Sequence, residues 1–448
     1  MASIGHGASP WHHLEMANDT IQVNVRNPLV RVVLILLVLV AAVWSYFVVR
    51  WYLGNTFAEY FNTETNSVEA AQRAVSMGPD DPMTHWRVGQ VSQKVFSLEQ
   101  QAQAIGEYEK AVSLSPNDYR YWTSLGTAYE QVGETAKAEH ALRRAVELAP
   151  AYAYPRWYLG NLLVRDGRYD EAFAELRLAM KAEPEFQPQV FNLAWQINGD
   201  DAQAIRKAIG DNSAIQAQFA VYLIGLKQID QGLKFWNEMS IEDRKANLAS
   251  GQSVIASLKN EHRYHDALKV WNDIANESLR TEVGRIFDSS FEEAGSYGSD
   301  MPFGWQDRGA PQVAIDVDAN RSQKGGRSLH WLFQVRTNVG PVQVAQLVLV
   351  EPQTEYEFEG YVSTEKLESG STPLIDIVDP IDEKTIVAST AAPRGTNNWN
   401  RVNFTFKTGE KTEAVIVRIV RNSCVSEQTP VCPIFGSVWY DNFSIKRH

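Results

Sequence analysis

The stretch from Tyr119 to Pro150, YRYWTSLGTAYEQVGETAKAEHALRRAVELAP, decides the reading of this chain, because it is repeated almost at once. It carries Trp122, then Leu125-Gly126, Tyr129, Gly133, Ala138, Leu142, Ala145 and Pro150. Thirty-four residues on, Leu159-Gly160, Leu163, Gly167, Ala172, Leu176, Ala179 and Pro184 recur at the same spacing. Each copy holds two apolar stripes of helical period separated by a glycine, the pattern of two antiparallel helices. Gly126 and Gly160 let neighbouring helices approach, the alanines are small for the same reason, and Pro150 and Pro184 stop the second helices. These residues report fold and not chemistry.

The pattern resembles the tetratricopeptide (TPR) repeat, W-x2-L-G-x2-Y…A-x3-F…P. The second copy departs from it in having Arg156 where Trp122 stands, with Trp157 beside it. Upstream, Val88-Gly89 opens a copy that ends in Ala104, Tyr108, Ala111 and Pro116, with extra residues in its inter-helix turn. Ala74 and Pro79 read as the second helix of an incomplete leading repeat. Downstream the signature decays, but helical periodicity persists through Ala214–Met239 and Leu248–Ile274, which read as degenerate pairs that complete and cap a solenoid. The helical domain is placed at 55–283, with its clearest repeats at 82–184. The resemblance implies binding of protein partners along a concave groove lined by the first helix of each pair. The groove-facing candidates are Arg120, Thr123, Thr127 and Glu130, then Tyr154, Trp157, Asn161 and Arg165. Asn161 and Arg165, one turn apart, form a candidate grip for a peptide carboxylate.

Before the repeats, Val32 to Val49 carries no charge and is bracketed by Arg31 and Arg50. Eighteen residues at 1.5 Å each give about 27 Å, close to a bilayer core of roughly 30 Å. Trp44, Tyr46, Trp51 and Tyr52 cluster at one end as an interfacial belt would. A cleavable signal peptide would be shorter and followed by small residues, where this run has Trp44, Tyr46 and Phe47. The expectation is a single-pass anchor at 29–50, after a polar tail at 1–28 that includes His6, His12 and His13. Arg26 and Arg31 precede the span and Glu59, Glu64 and Glu69 follow it. The N-terminus is therefore placed in the cytoplasm and the bulk of the chain outside, at an inner or plasma membrane.

After about residue 284 glycine and serine become frequent, and short alternating runs replace the helical period. Ser328–Val335, Val342–Val350, Tyr356–Val362, Leu374–Ile377, Arg401–Phe406, Ala414–Val420 and Val438–Ile445 read as strands of a β-sandwich at 284–448. Asp288-Ser-Ser-Phe291-Glu292, Gly304-Trp305, Gly325-Gly-Arg-Ser328-Leu329, Trp399 through Phe404 and Trp439-Tyr-Asp441-Asn-Phe-Ser-Ile445 follow one another in order. This succession resembles the jelly-roll carbohydrate-binding modules. Asp288 stands for the usual Asn, and Asn442 for the usual second Asp. The resemblance implies a structural calcium ion between Glu292 and Asp441, with backbone hydrogen bonding as the alternative role of both carboxylates. It also makes carbohydrate a candidate partner through Trp305, Trp331, Trp399 or Tyr361. Trp305, Trp331 and Trp399 are read as core.

The fold class is thus multidomain: one transmembrane helix, an all-α TPR-like solenoid and an all-β jelly-roll sandwich. A net charge of −12 without a basic face excludes nucleic acid. No catalytic motif occurs: no Gly-x-Ser-x-Gly, no His-Glu-x-x-His, no Walker loop and no Rossmann fingerprint. No cofactor is required. The sequence reads as a non-enzymatic envelope scaffold linked to export or assembly of a surface polymer. The alternative is a glycan receptor in which the array is a spacer. Cys424 and Cys432, the two cysteines of the chain, enclose a short Pro430-containing loop. They are either unrelated thiols or a disulfide of an oxidising compartment worth about 2–3 kcal/mol. With the disulfide formed, alkylation without reductant of protein taken from native membranes leaves neither cysteine modified by intact mass. Two adducts would contradict the bridge and weaken the extracytoplasmic placement.

Overall fold

The computed structural model describes residues 27–59, 68–95, 97–293, 301–310, 312–338, 341–382, 384–421 and 433–448. The histidines of the N-terminal tail, Arg26, Glu64, Cys424 and Cys432 lie outside the described residues. The chain forms two compact units, Met1–Pro184 and Glu185–His448.

In the first unit, α1 runs unbroken over Pro28–Glu59. It is long and apolar enough to cross a membrane, and none of its apolar span is buried in the protein. Its 32 residues correspond to about 48 Å, well beyond the thickness of a hydrocarbon core. The excess is packed against α2 (Val68–Met77) and α3 (Pro82–Gln93). A Cβ placed on Gly54 would lie 2.9 Å from Gly78 N and 3.2 Å from Ala74 O, so only glycine fits there. Asn55 Nδ2 donates to Asp81 Oδ2 at 2.7 Å, Arg87 Nε donates to the carbonyl of the buried Ala58 at 2.8 Å, and the Arg50 guanidinium donates to the Ser76 carbonyl.

The repeat pairs follow: α3 with α4 (Leu98–Leu114), α5 (Tyr119–Gln131) with α6 (Thr135–Leu148), and α7 (Ala153–Arg165) with α8 (Tyr169–Ala182). Asp81, Ser97 and Asp118 cap α3, α4 and α5 by accepting from backbone amides of the first turn. Gly133 and Gly167 turn the chain within the last two pairs at φ of 80° and 76°. A Cβ on Gly126 would lie 2.6 Å from Leu142 Cγ and 3.3 Å from Ala138 O; on Gly160 the same distances, to Leu176 Cγ and Ala172 O, are 2.7 and 3.3 Å. The two copies are geometrically equivalent, as their spacing implies.

The second unit begins with α9 (Gln187–Asn198), α10 (Ala202–Ile209), α11 (Ser213–Gly225), α12 (Ile229–Glu238), α13 (Ile241–Ala246), α14 (Leu248–Asn260) and α15 (Tyr264–Ile274). The pairs α11–α12 and α14–α15 are the degenerate repeats expected from periodicity. In α11–α12 the close-contact glycine has moved to the second helix. A Cβ on Gly232 would lie 2.5 Å from Ile224 Cγ1 and 2.9 Å from Ala220 O. The packing survives with its roles exchanged, which is why the Leu-Gly signature disappears. These helices share a compact unit with the sandwich, so the compositional change at 284 is not where the two units divide.

The strands are β1 (Gln306–Arg308), β2 (Val313–Asp318), β3 (Ser328–Asn338), β4 (Val342–Leu349), β5 (Glu355–Ser369), β6 (Leu374–Val378), β7 (Thr385–Ala388), β8 (Gly395–Lys407), β9 (Ala414–Arg421) and β10 (Pro433–Arg447). They form two antiparallel sheets, β1-β4-β9-β6-β7 and β2-β3-β10-β5-β8. Alternate residues of both sheets, among them Val344, Val417, Ile419, Trp331, Phe358 and Tyr440, fill one core. All seven expected strands are present; β1, β2 and β7 are additional. Trp305 and Trp331 are fully buried, as expected, whereas Trp399 is only half-buried on β8.

Because Leu176 already occupies the space above Gly160, Gly160→Leu should destabilise the array by about 1–3 kcal/mol. Denaturant unfolding of the purified chain measures this, and a midpoint equal to that of the parent would contradict the register.

Candidate functional site

The first helices of successive pairs are joined side by side through contacts one repeat apart. Trp86 Nε1 on α3 donates to Ser124 Oγ on α5 at 2.8 Å, and Gln93 Nε2 on α3 donates to Thr127 Oγ1 on α5 at 3.4 Å. Arg165 on α7 pairs with Glu130 on α5. These contacts define one face built by α3, α5 and α7. All eight groove candidates are half-buried or exposed: Arg120, Tyr154 and Arg165 exposed, Thr123, Thr127, Glu130, Trp157 and Asn161 half-buried.

Several are already committed within the protein. Arg120 is held by Asp118, which caps its own helix, with Nε to Oδ1 at 3.0 Å. The Thr123 hydroxyl donates to the Tyr119 carbonyl and that of Thr127 to the Ser124 carbonyl. Asn161 Nδ2 donates to the Trp157 carbonyl at 2.8 Å, and Arg165 faces Glu130. The Asn161–Arg165 grip therefore does not stand open: an incoming carboxylate has to compete with Glu130.

A richer cluster lies one repeat earlier. Arg87 and Arg120 stand 4.8 and 5.8 Å from the Trp86 ring centre, and Trp86 meets Tyr121 edge-on at 5.7 Å. Burial holds the Arg87 guanidinium below its ordinary value, and the nearby positive charge of Arg120 adds to this. Trp86 and Gln90 occupy the register of Thr123 and Thr127, counted from Gly89 and Gly126. The signal was thus available in this upstream copy, by counting from its Gly89.

At the end of the sandwich, Glu292 and Asp441 converge on one loop. Glu292 Oε1 accepts from Gly326 N at 2.7 Å and Arg327 N at 3.0 Å. Asp441, completely buried, accepts at Oδ2 from Gln323 N at 2.6 Å and Lys324 N at 3.2 Å, and at Oδ1 from Asn442 N at 2.6 Å. Burial raises the Asp441 carboxyl above its ordinary value, opposed by these three amides and reinforced by the charge of Glu292. A calcium site needs six to eight oxygen ligands. Here the surroundings present N–H donors, and among the described residues no group of three or more His, Cys, Asp or Glu could hold a metal ion. The residues fit the loop better than they fit the ion. Glu292 and Glu293 follow Phe291, whose φ is +56°, and belong to no strand.

The aromatic residues of the sandwich are largely absorbed by packing. Trp439 is sandwiched between the His330 ring, stacked at 4.6 Å, and the Arg321 guanidinium at 4.0 Å. Tyr361 is half-buried beside Arg401, and its hydroxyl donates to Glu359 at 3.3 Å.

The tetratricopeptide repeat family model matches residues 95–153 and 123–185. The chain is 31% identical over 94 residues to Superkiller complex protein 3 of Mus musculus, covering 21% of this chain and 6% of that one. It is 29% identical over 91 residues to small glutamine-rich tetratricopeptide repeat-containing protein 2 of Mycosarcoma maydis, covering 20% and 26%. It is 23% identical over 117 residues to DnaJ homolog subfamily C member 3 of Bos taurus, covering 26% and 23%. The chain thus spans a quarter or less of these relatives, apart from 26% of the second. Among solved structures it is similar to MamA (15% identity, TM-score 0.28, 49% of this chain and 95% of that). It is also similar to a CBM4 structure (12% identity, TM-score 0.28, 37% of this chain and all of that). The helical region therefore contains TPR repeats, and a two-sheet sandwich follows.

The amide cradle yields a direct test. Asp441→Ala removes the buried acceptor of three part-buried amides and should cost about 2–3 kcal/mol, while melting of the parent chain should be the same in calcium and in chelator. A calcium-dependent rise in the melting temperature would contradict the cradle.

Proposed function

We propose that this chain is a non-enzymatic scaffold of the cell envelope, anchored by α1 and presenting a TPR groove to polypeptide partners outside the cytoplasm. The observation that carries the reading is the shared face of α3, α5 and α7. On it Trp86, Tyr121, Trp157, Arg87 and Arg120 offer an aromatic and cationic surface that remains half-buried or exposed apart from Tyr121. Aromatic rings and arginines of this kind dominate polypeptide recognition. Beside Arg120, which Asp118 already holds, Arg87 and the Trp86 ring suit a partner segment with acidic and apolar residues.

Membrane anchoring is supported by the exposed apolar surface of α1, for which the protein itself provides no cover. Its extra turns, locked against α2 and α3, make the anchor part of the array and not a tether. Such a joint holds the groove at a fixed distance and tilt relative to the bilayer. That geometry serves a scaffold which positions other components of a surface-polymer export or assembly system. The role of the sandwich in this reading is to extend the second unit toward that polymer.

A photo-crosslinking residue in place of Gln90 or Tyr154 should capture a discrete polypeptide in native membranes, and the same residue at Lys137, on the second helix of its pair, should not. The adduct should stay in the pellet after carbonate extraction. Equal labelling from Lys137, or release of the chain into the supernatant, would contradict the proposal.

A further inference from the structure

Within the second unit a cavity of about 300 Å³ lies between α14–α15 and the outer face of the sheet β1-β4-β9-β6-β7. Its volume is at the lower end of ordinary ligand pockets. Leu347, Val378 and Ile416 form an apolar floor, pointing away from the sandwich core that Val344, Val417 and Ile377 fill. Three cations reach the walls: Lys259 from α14, Arg308 from β1 and Arg418 from β9.

The three are not equivalent. Arg418 is neutralised by Asp376 through two bonds, Nε to Oδ1 at 2.8 Å and Nη2 to Oδ2 at 2.6 Å. Lys259 Nζ donates to the Pro302 carbonyl at 2.7 Å and stands 5.7 Å from the Phe303 ring. Among the described residues no carboxylate lies within ion-pair distance of Lys259 or of Arg308. Burial holds the Lys259 ammonium below its ordinary value. A partly buried cation served by one neutral acceptor is under-compensated, and an anion entering the cavity would supply the missing charge. Lys259 retains two N–H donors for it. Gln343 adds an amide able to bind hydroxyls at the wall.

We propose that this cavity binds a small hydroxylated carboxylate, of which a hexuronic acid residue is the simplest representative. Lys259 and Arg308 receive the carboxylate, while Leu347, Val378 and Ile416 pack against the apolar face of the ring. The last helical repeat thereby supplies half of a binding site whose other half is the sandwich. A volume of this size admits one sugar residue or a chain end. The proposal is independent of the polypeptide groove, since a chain unable to capture a partner would still bind the ligand.

The test is a calorimetric titration of the full chain in detergent with D-glucuronate and D-galacturonate, with D-glucose and inorganic phosphate as comparators. Saturable binding of a uronate is expected, with glucose and phosphate both weaker. Lys259→Gln and Arg308→Ala should each weaken it about tenfold or more. Arg308 lies on an exposed edge strand, so its variant keeps the test valid if Lys259→Gln fails to fold. The proposal is overturned by no uronate binding, by glucose or phosphate binding as tightly as the uronates, or by parent-like affinity in Arg308→Ala.

Discussion

At Gly126 and Gly160 two helices approach so closely that the side chains of Leu142 and Leu176 occupy the volume a Cβ would need. The rest of the helical region depends on this approach. The alanines at 138, 145, 172 and 179 are fully buried beside it. It also brings the first helices near enough for Trp86, Gln93 and Arg165 to bond to the next helix of the face. The groove chemistry is a consequence of helix spacing.

The same device appears where α1 meets the array. Gly54 removes the side chain that would hold α1 away from Ala74 and Gly78, and polar contacts from Asn55, Arg87 and Arg50 secure the seam. An α-helix is stiff over this length, so a helix fixed at its end by a packed seam transmits its orientation. A flexible linker would leave the groove free to reorient.

The legible and illegible parts of the chain differ in physical kind. Positions where only a small residue fits constrain identity, so the pair at 119–184 could be read directly from glycine and alanine spacing. Alternation marked β4 and β9, whose inward residues are apolar. The exposed three-residue β1 has no buried face and therefore no pattern to read. Where the close-contact glycine changes helix, at Gly232, the rule persists but the motif does not. The carboxylates at 292 and 441 were correctly brought together. Of the two roles the sequence left open for them, calcium and backbone bonding, the structure shows the backbone bonds; which amides they meet, those of residues 323–327, sequence does not state. Trp86 and Arg87 lie before Val88-Gly89, from which the upstream copy was read, and so fell outside the candidates taken from the two clearest repeats.

The positional role of the scaffold depends on α1 being both membrane helix and first helix of the array. Hydrogen exchange of the chain reconstituted in bilayers addresses both halves at once. Amides of residues 32–49 should be protected by lipid, and those of residues 50–58 should be protected to the degree seen in α3 and α5, by packing alone. Rapid exchange across residues 50–58 would show a loose tether in place of a seam, and the positional role assigned to the scaffold would fall with it.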